Sequence, residues 1–132
     1  MTAHAGFQET AAYLERVETA VIATRLPGGG EILTPIWAVT VDGVPYIRSG
    51  YGPQAKWYSR ALQAGRAVFV DGSRRFPVRL AAATDAALNA AVDQAYITKY
   101  RILWPGPTRS MTSEPARTTT LRLLTPGPGP TG

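Results

Sequence analysis

Two Asp-Gly pairs, each following an apolar run, constrain this chain more than any other feature. Asp42-Gly43 stands between Val41 and Val44, and Asp71-Gly72 follows the run at 67–70. A two-residue hairpin loop needs turn positions that tolerate positive φ, which Asp and Gly supply, so each pair predicts antiparallel strands joined tightly. Pro27-Gly28-Gly29-Gly30 adds a third turn. Around these turns the sequence predicts strands at 19–26, 31–41, 44–48, 67–70, 76–80 and 117–124. Pro77 cannot donate to a ladder, so its strand should be an edge or be bulged there. Six mainly antiparallel strands leave no room for parallel crossovers. Closing them into a small barrel, with helices over the ends, removes exposed edges.

The helical segments are fewer. Phe7, Ala11, Leu14 and Val17 mark one helix over 7–17. A second runs over 53–64, with Pro53 as its first residue and Gly65 as a left-handed cap. A third starts at a Thr84 cap with Asp85 in its first turn. Leu88, Val92, Tyr96 and Leu103 are its buried stripe, and Pro105-Gly106 ends it. Residues 105–116 read as a loop.

The chain has 132 residues, 45% of them apolar, which predicts one domain over 1–124 and a disordered Pro/Gly tail over 125–132. There is no cysteine, which excludes disulfides and thiolate metal sites. The single histidine, His4, lies in a polar N-terminus expected to fray, which argues against a histidine metal centre or a serine–histidine dyad. No apolar run approaches the ~20 residues needed to cross a bilayer. The start lacks the basic-then-apolar pattern of a signal peptide, so the expected location is the cytoplasm.

The net charge of +5 is concentrated in one segment. Arg48, Lys56, Arg60, Arg66, Arg74, Arg75 and Arg79 face a single acid, Asp71, while the rest of the chain holds seven basic and eight acidic residues. Such a field favours an anionic partner. Nucleic acid is the less favoured one, because the basic residues lack regular aromatic interleaving and no recognition helix is evident.

Arg48, Ser49 and Gly50 close one strand, and Lys56, Trp57 and Tyr58 open the helix that follows. Arg48 offers a planar fork, Lys56 a mobile charge and Ser49 a hydroxyl. Free N–H groups of Gln54, Ala55 and Lys56 at the helix start would add to them. Anion donors beside aromatic rings suit a phosphorylated, planar ligand. Of the two rings, Trp57 is expected beneath the barrel and Tyr58 toward the ligand. Tyr96 and Tyr100 share a helix face with Trp104. That ridge is either a subunit interface or a pocket wall, and in the second case Tyr100 and Tyr96 are the catalytic proton-donor candidates. Asp42 and Asp71 sit at turns, no acid pair is arranged for hydrolysis, and no serine has a nucleophile-elbow setting.

Pro35-Ile36-Trp37, Asp42-Gly43, Tyr46-Ile47-Arg48-Ser49, Lys56-Trp57-Tyr58 and Leu62 together resemble the flavin-binding split β-barrels. These include the pyridoxamine phosphate oxidases and the deazaflavin-dependent nitroreductases, and the chain looks most like a DUF2255-like branch. The resemblance implies a six-stranded antiparallel split β-barrel and a homodimer with cofactor clefts between subunits. Arg48, Ser49 and Lys56 would then meet the phosphate, with Trp37 beside the ring and Gly50, Trp57 and Tyr58 around it. The implied cofactor is FMN or an 8-hydroxy-5-deazaflavin, and the implied activity is oxidoreduction of a small organic molecule. The arginine surplus over 60–79 would suit the polyglutamate-type tail of the deazaflavin. The superfamily commonly has an asparagine near the end of the cofactor helix and then Asn-Pro. Here Ser59, Arg60 and Ala61 follow Tyr58, and Ala64-Gly65-Arg66 stands in place of Asn-Pro. A cofactor-free enzyme of cyclase or isomerase type, or a small-molecule-binding protein using the same cleft, is therefore the alternative.

Overall fold

A computed structural model describes residues 3–126 of the chain. The predicted tail is placed only at Thr125 and Pro126, and 127–132 lie outside the described residues, as does the side chain of His4. Helix α1 (Ala3–Arg16) leads into strands β1 (Ala20–Arg25), β2 (Glu31–Ile36), β3 (Ala38–Val41) and β4 (Val44–Ile47). A 3-10 turn (Gly52–Gln54) precedes α2 (Lys56–Ala64), then β5 (Arg66–Asp71) and β6 (Arg74–Ala82). Helices α3 (Ala86–Tyr100) and α4 (Pro105–Met111), a second 3-10 turn (Ala116–Thr119) and β7 (Leu121–Leu124) complete the chain.

All strands join one antiparallel sheet in the order β2-β1-β5-β6-β7-β4-β3. Strands β2 and β3 lie at opposite edges, yet only Trp37 separates them in the chain. Residues two apart are at most ~7 Å apart between Cα atoms, so the edges must meet at Trp37. The sheet is therefore curled into a half-barrel with helices flanking it. It has seven strands rather than six, because the single strand predicted over 31–41 breaks at Trp37. Its first half pairs with β1 and its second with β4.

Local chemistry explains most elements. Asp42 and Gly43 both take positive φ, 52° and 79°, as the hairpin requires. At the second hairpin the loop is Gly72-Ser73, one residue later than the Asp-Gly pair predicts, because Asp71 still pairs with Arg74. Gly72 carries the positive φ of 63°. Pro77 pairs with Val68 of β5, while β7 reaches only to Arg79, so Pro77 lies on a locally free edge. Helix α3 is capped by Asp85, not Thr84: its carboxylate accepts the Leu88 N–H at 2.8 Å. Its buried stripe continues to Tyr100, and Leu103 is exposed. Pro105 begins a helix instead of ending one, because a first-turn proline loses no hydrogen bond.

Two apolar clusters result. Inside the curl, Ile22, Phe69, Val78, Leu121 and Leu123 pack with Leu14 of α1 and Trp57 and Ala61 of α2. Outside it, Val39 and Tyr46 pack with Val92, Tyr96 and Tyr100 of α3 and Met111 of α4. Strand alternation sends Ala38 and Ile47 inward and Val39 and Tyr46 outward, so the β3–β4 hairpin is buried on both faces. No helix among the described residues is long and apolar enough to cross a membrane.

Candidate functional site

A cleft of about 580 Å³ opens where the chain crosses between the sheet edges. Thr34, Pro35, Ile36 and Trp37 form one wall. Gly50, Tyr51 and Trp57 form the second, and Pro107, Ser110 and Met111 of α4 the third. The lining is mainly apolar, and Tyr51 stands at the mouth almost fully exposed. Trp37 is braced from behind by Tyr100, their rings parallel within 3° and 3.9 Å apart between centroids.

The loop into α2 is shaped by Gly52, whose φ is 82°. A Cβ there would lie 2.8 Å from Pro115 Cγ, so only glycine lets the loop close on the second 3-10 turn. The 3-10 turn means α2 starts at Lys56, not Pro53, and the Ala55 N–H is bonded to Gly52 O. Gly65 ends α2 in the left-handed conformation, as its position predicts.

Of the sequence-predicted site residues, Trp37, Gly50 and Trp57 line the cleft. Trp57 packs in the inner core as expected and also borders the cleft, whereas Tyr58, expected toward the ligand, is buried without lining it. Burial raises the Tyr58 phenol pKa above its ordinary value. Lys56 is exposed and lines no part of the cleft. Ser49 is buried; its N–H donates to Thr119 Oγ1 at 2.8 Å, and its hydroxyl has no partner among the described residues.

Arg48 reaches the cleft wall, but its guanidinium is fully buried and turned into the protein. Nε donates to Thr120 Oγ1 at 2.8 Å. One terminal nitrogen donates to Asp93 Oδ1 at 2.5 Å and to Met111 O at 2.9 Å. The other donates to Asn89 O at 3.0 Å and Asn89 Oδ1 at 3.1 Å. A guanidinium has five N–H donors, and all five are occupied. The Asp93 carboxylate also pairs with Arg117 at 3.2 Å, and the Arg48 guanidinium carbon lies 5.7 Å from the Tyr96 ring centre. The prediction that Arg48 meets a ligand phosphate beside Lys56 is thus corrected: Arg48 ties β4 to α3 and α4, and the two cations share no partner.

The tyrosine prediction is corrected as well. Tyr96 and Tyr100 are buried, and neither lines the cleft. Tyr96 OH donates to Trp37 O at 3.1 Å, and Tyr100 OH donates to Glu18 O at 2.6 Å. Both hydroxyls are thus spent on backbone acceptors, and desolvation raises both phenol pKa values. They hold the β2–β3 crossing in place. Trp104 is partly exposed and donates from Nε1 to Glu18 Oε2 at 2.8 Å, apart from the buried pair.

Sequence reasoning missed the α4 wall, because Pro105-Gly106-Pro107 reads as a turn. It also missed Asn89 and Asp93, which stand four apart on α3; that spacing is the only sequence signal of a shared polar face. Arg66, Arg75 and Arg79 do not border the cleft; they surround a different cavity. Among the described residues no cluster of acids, histidines or cysteines is placed to hold a metal. The cleft walls are aromatic and apolar. A phosphate finds no free side-chain cation among them.

These features define a curled antiparallel half-barrel with an aromatic-walled cleft at its strand crossing. Residues 12–123 match the family model described as "Uncharacterized protein conserved in bacteria (DUF2255)", and the chain belongs to that family. Among solved structures it is similar to conserved hypothetical protein Rv2991 from Mycobacterium tuberculosis, with a TM-score of 0.62 and 16% identity over 87% of this chain and 76% of that one. It is also matched to an F420 reductase, with a TM-score of 0.49 and 14% identity over 85% of this chain and 87% of that one. No curated protein matches the chain. The DUF2255-like reading of the sequence therefore holds for the family, and the mainly β antiparallel barrel-like architecture with flanking helices holds for the fold.

Proposed function

We propose that the cleft binds a planar aromatic molecule of flavin or deazaflavin type, and that the protein is an oxidoreductase acting on a small organic substrate beside that ring. The observation that carries this reading is the wall itself. Trp37 and Trp57 flank a mainly apolar cleft of about 580 Å³, a size that suits a cofactor. When bound, such a ring supplies the hydride chemistry, and the protein supplies orientation. Trp37, held by the Tyr100 stack, offers a fixed aromatic edge. Ser110 and the main chain of Gly50 are the polar groups at hand. Because Arg48 has no free donor, affinity resides in the ring and not in a phosphate. The proposal includes a homodimer, since edge strand β2 exposes Ile32 and Leu33 just before its cleft-lining residues.

Fluorescence titration with FMN, riboflavin, the deazaflavin coenzyme and phosphate-free 8-hydroxy-5-deazaflavin tests the reading. At least one ring should bind at micromolar concentration, its phosphorylated and phosphate-free forms within about threefold, and Trp37→Ala should weaken it at least tenfold. Failure of all four compounds to bind would refute it. The second reading, a cofactor-free pocket, is favoured by the same occupied donors of Arg48. Turnover of a substrate by colourless protein without added flavin would establish that reading instead.

A further inference from the structure

A second cavity, about 530 Å³, lies at the other end of the β1–β2 hairpin and shares no lining residue with the cleft. Four of its lining residues are arginines, Arg25, Arg66, Arg75 and Arg79, against one acid, Glu31. Register explains the crowding. Arg66 and Arg79 are direct partners across β5 and β6. The β1–β5 pairing sets Ala23 against Val68, and continuing it by two residues brings Arg25 opposite Arg66. Three guanidinium side chains therefore leave one face of three adjacent strands in a row, at a strand spacing of ~4.8 Å.

Like charges directly opposite each other in a sheet are destabilising. One acid, Glu31, stands opposite Arg25 across β1 and β2, and its carboxylate is drawn to Arg75, at 2.6 Å. Arg79 Nε donates to Thr125 O at 2.7 Å. Among the described residues, no ion pair involves Arg25, Arg66 or Arg79. All four arginines are exposed, so their remaining donors are accessible.

We propose that this arginine row binds a small polyanion, a molecule bearing two or more phosphate or carboxylate groups. The row spans ~10 Å across its three strands, which is longer than one monoanion can bridge. Guanidinium forks bind both oxyanion types bidentately, so phosphate and carboxylate share the recognition chemistry. A nucleic-acid strand fits less well: no aromatic residue lines the cavity for base stacking, and Ala64 and Pro126 help to bound it. This proposal does not rest on the reading of the cleft.

Calorimetric titration of the full chain at low ionic strength, with inorganic triphosphate in one arm and tricarballylate in the other, tests it. Binding in either arm supports the proposal, and the tighter arm assigns phosphate or carboxylate. The Arg66→Gln/Arg79→Gln variant should lose at least tenfold in affinity. Arg101→Gln/Arg109→Gln removes two exposed charges outside the cavity and should lose less than twofold. The anion should raise the melting temperature of the wild type and not that of the site variant, which alone should melt at or above the wild type. Three results would overturn the proposal: no binding in either arm, equal losses in both double variants, or binding of a single-stranded oligonucleotide without binding of the small anions.

Discussion

Replacing Arg48 by alanine separates a structural arginine from a ligand-binding one. In the structure the side chain is fully buried and makes five hydrogen bonds, one of them to the Asp93 carboxylate. Removing one member of a buried ion pair costs about 3–5 kcal/mol, because the other charge is left uncompensated. Asp93 is 21% exposed and keeps Arg117, so the lower part of that range applies, about 3–4 kcal/mol. For a chain of this length each kcal/mol moves the melting temperature by roughly 3–5 °C, giving a fall of about 9–20 °C. Differential scanning calorimetry measures this directly. A double-mutant cycle with Asp93→Ala should show a coupling of at least about 1 kcal/mol. An Arg48→Ala protein melting within about 3 °C of the wild type would refute the reasoning and return the side chain to the cleft.

Two further outcomes follow from local geometry and titration. Gly52→Ala should destabilise by about 1–3 kcal/mol, since it forces a positive φ and meets Pro115; Gly50→Ala, facing only the flexible Met111 sulfur at 3.3 Å, should cost less, and equal melting temperatures would contradict this. Burial lowers the Lys99 pKa to about 8, outweighing Glu15, while Nζ donates to Leu14 O and Ala38 O. Between pH 8 and 10 the unfolded chain therefore holds a proton that the native chain has released, and stability should rise with pH through this window. Above pH 10 the raised phenol pKa values of Tyr96 and Tyr100 reverse the sign. Urea titrations of wild type and Lys99→Met across that range check both, and a rise that survives the substitution removes Lys99 as its cause.

What was legible in the sequence is what neighbouring residues determine. The Asp42-Gly43 turn, the inward alternation of Leu121 and Leu123 and the Gly65 cap are decided within a few residues, and the structure has all three. The break at Trp37 was not legible, because it follows from two strand partners that lie elsewhere in the chain. Helix α4 was hidden because proline and glycine mark a turn and a helix start alike. Arg48 shows the limit for the site. Its position on the cleft wall could be read from its neighbours, but its acceptors on Asn89, Asp93 and Thr120 lie 41, 45 and 72 residues away. A sequence displays donors and not what they are aimed at.

The two cavities divide between them what a phosphorylated aromatic ligand would ask of one site. The cleft has Trp37, Trp57 and Tyr51 but no cation with a free donor, and the arginine row has cations but no ring. They lie toward opposite ends of β2, whose six residues span about 17 Å. A compact molecule cannot reach both, so ring recognition and anion recognition should be separable by mutation. Trp37→Ala should leave triphosphate binding intact, and Arg66→Gln/Arg79→Gln should leave ring binding intact. If either substitution abolished both, one extended ligand would join the two cavities, and the cation missing from the cleft wall would be supplied from the far end of the strand.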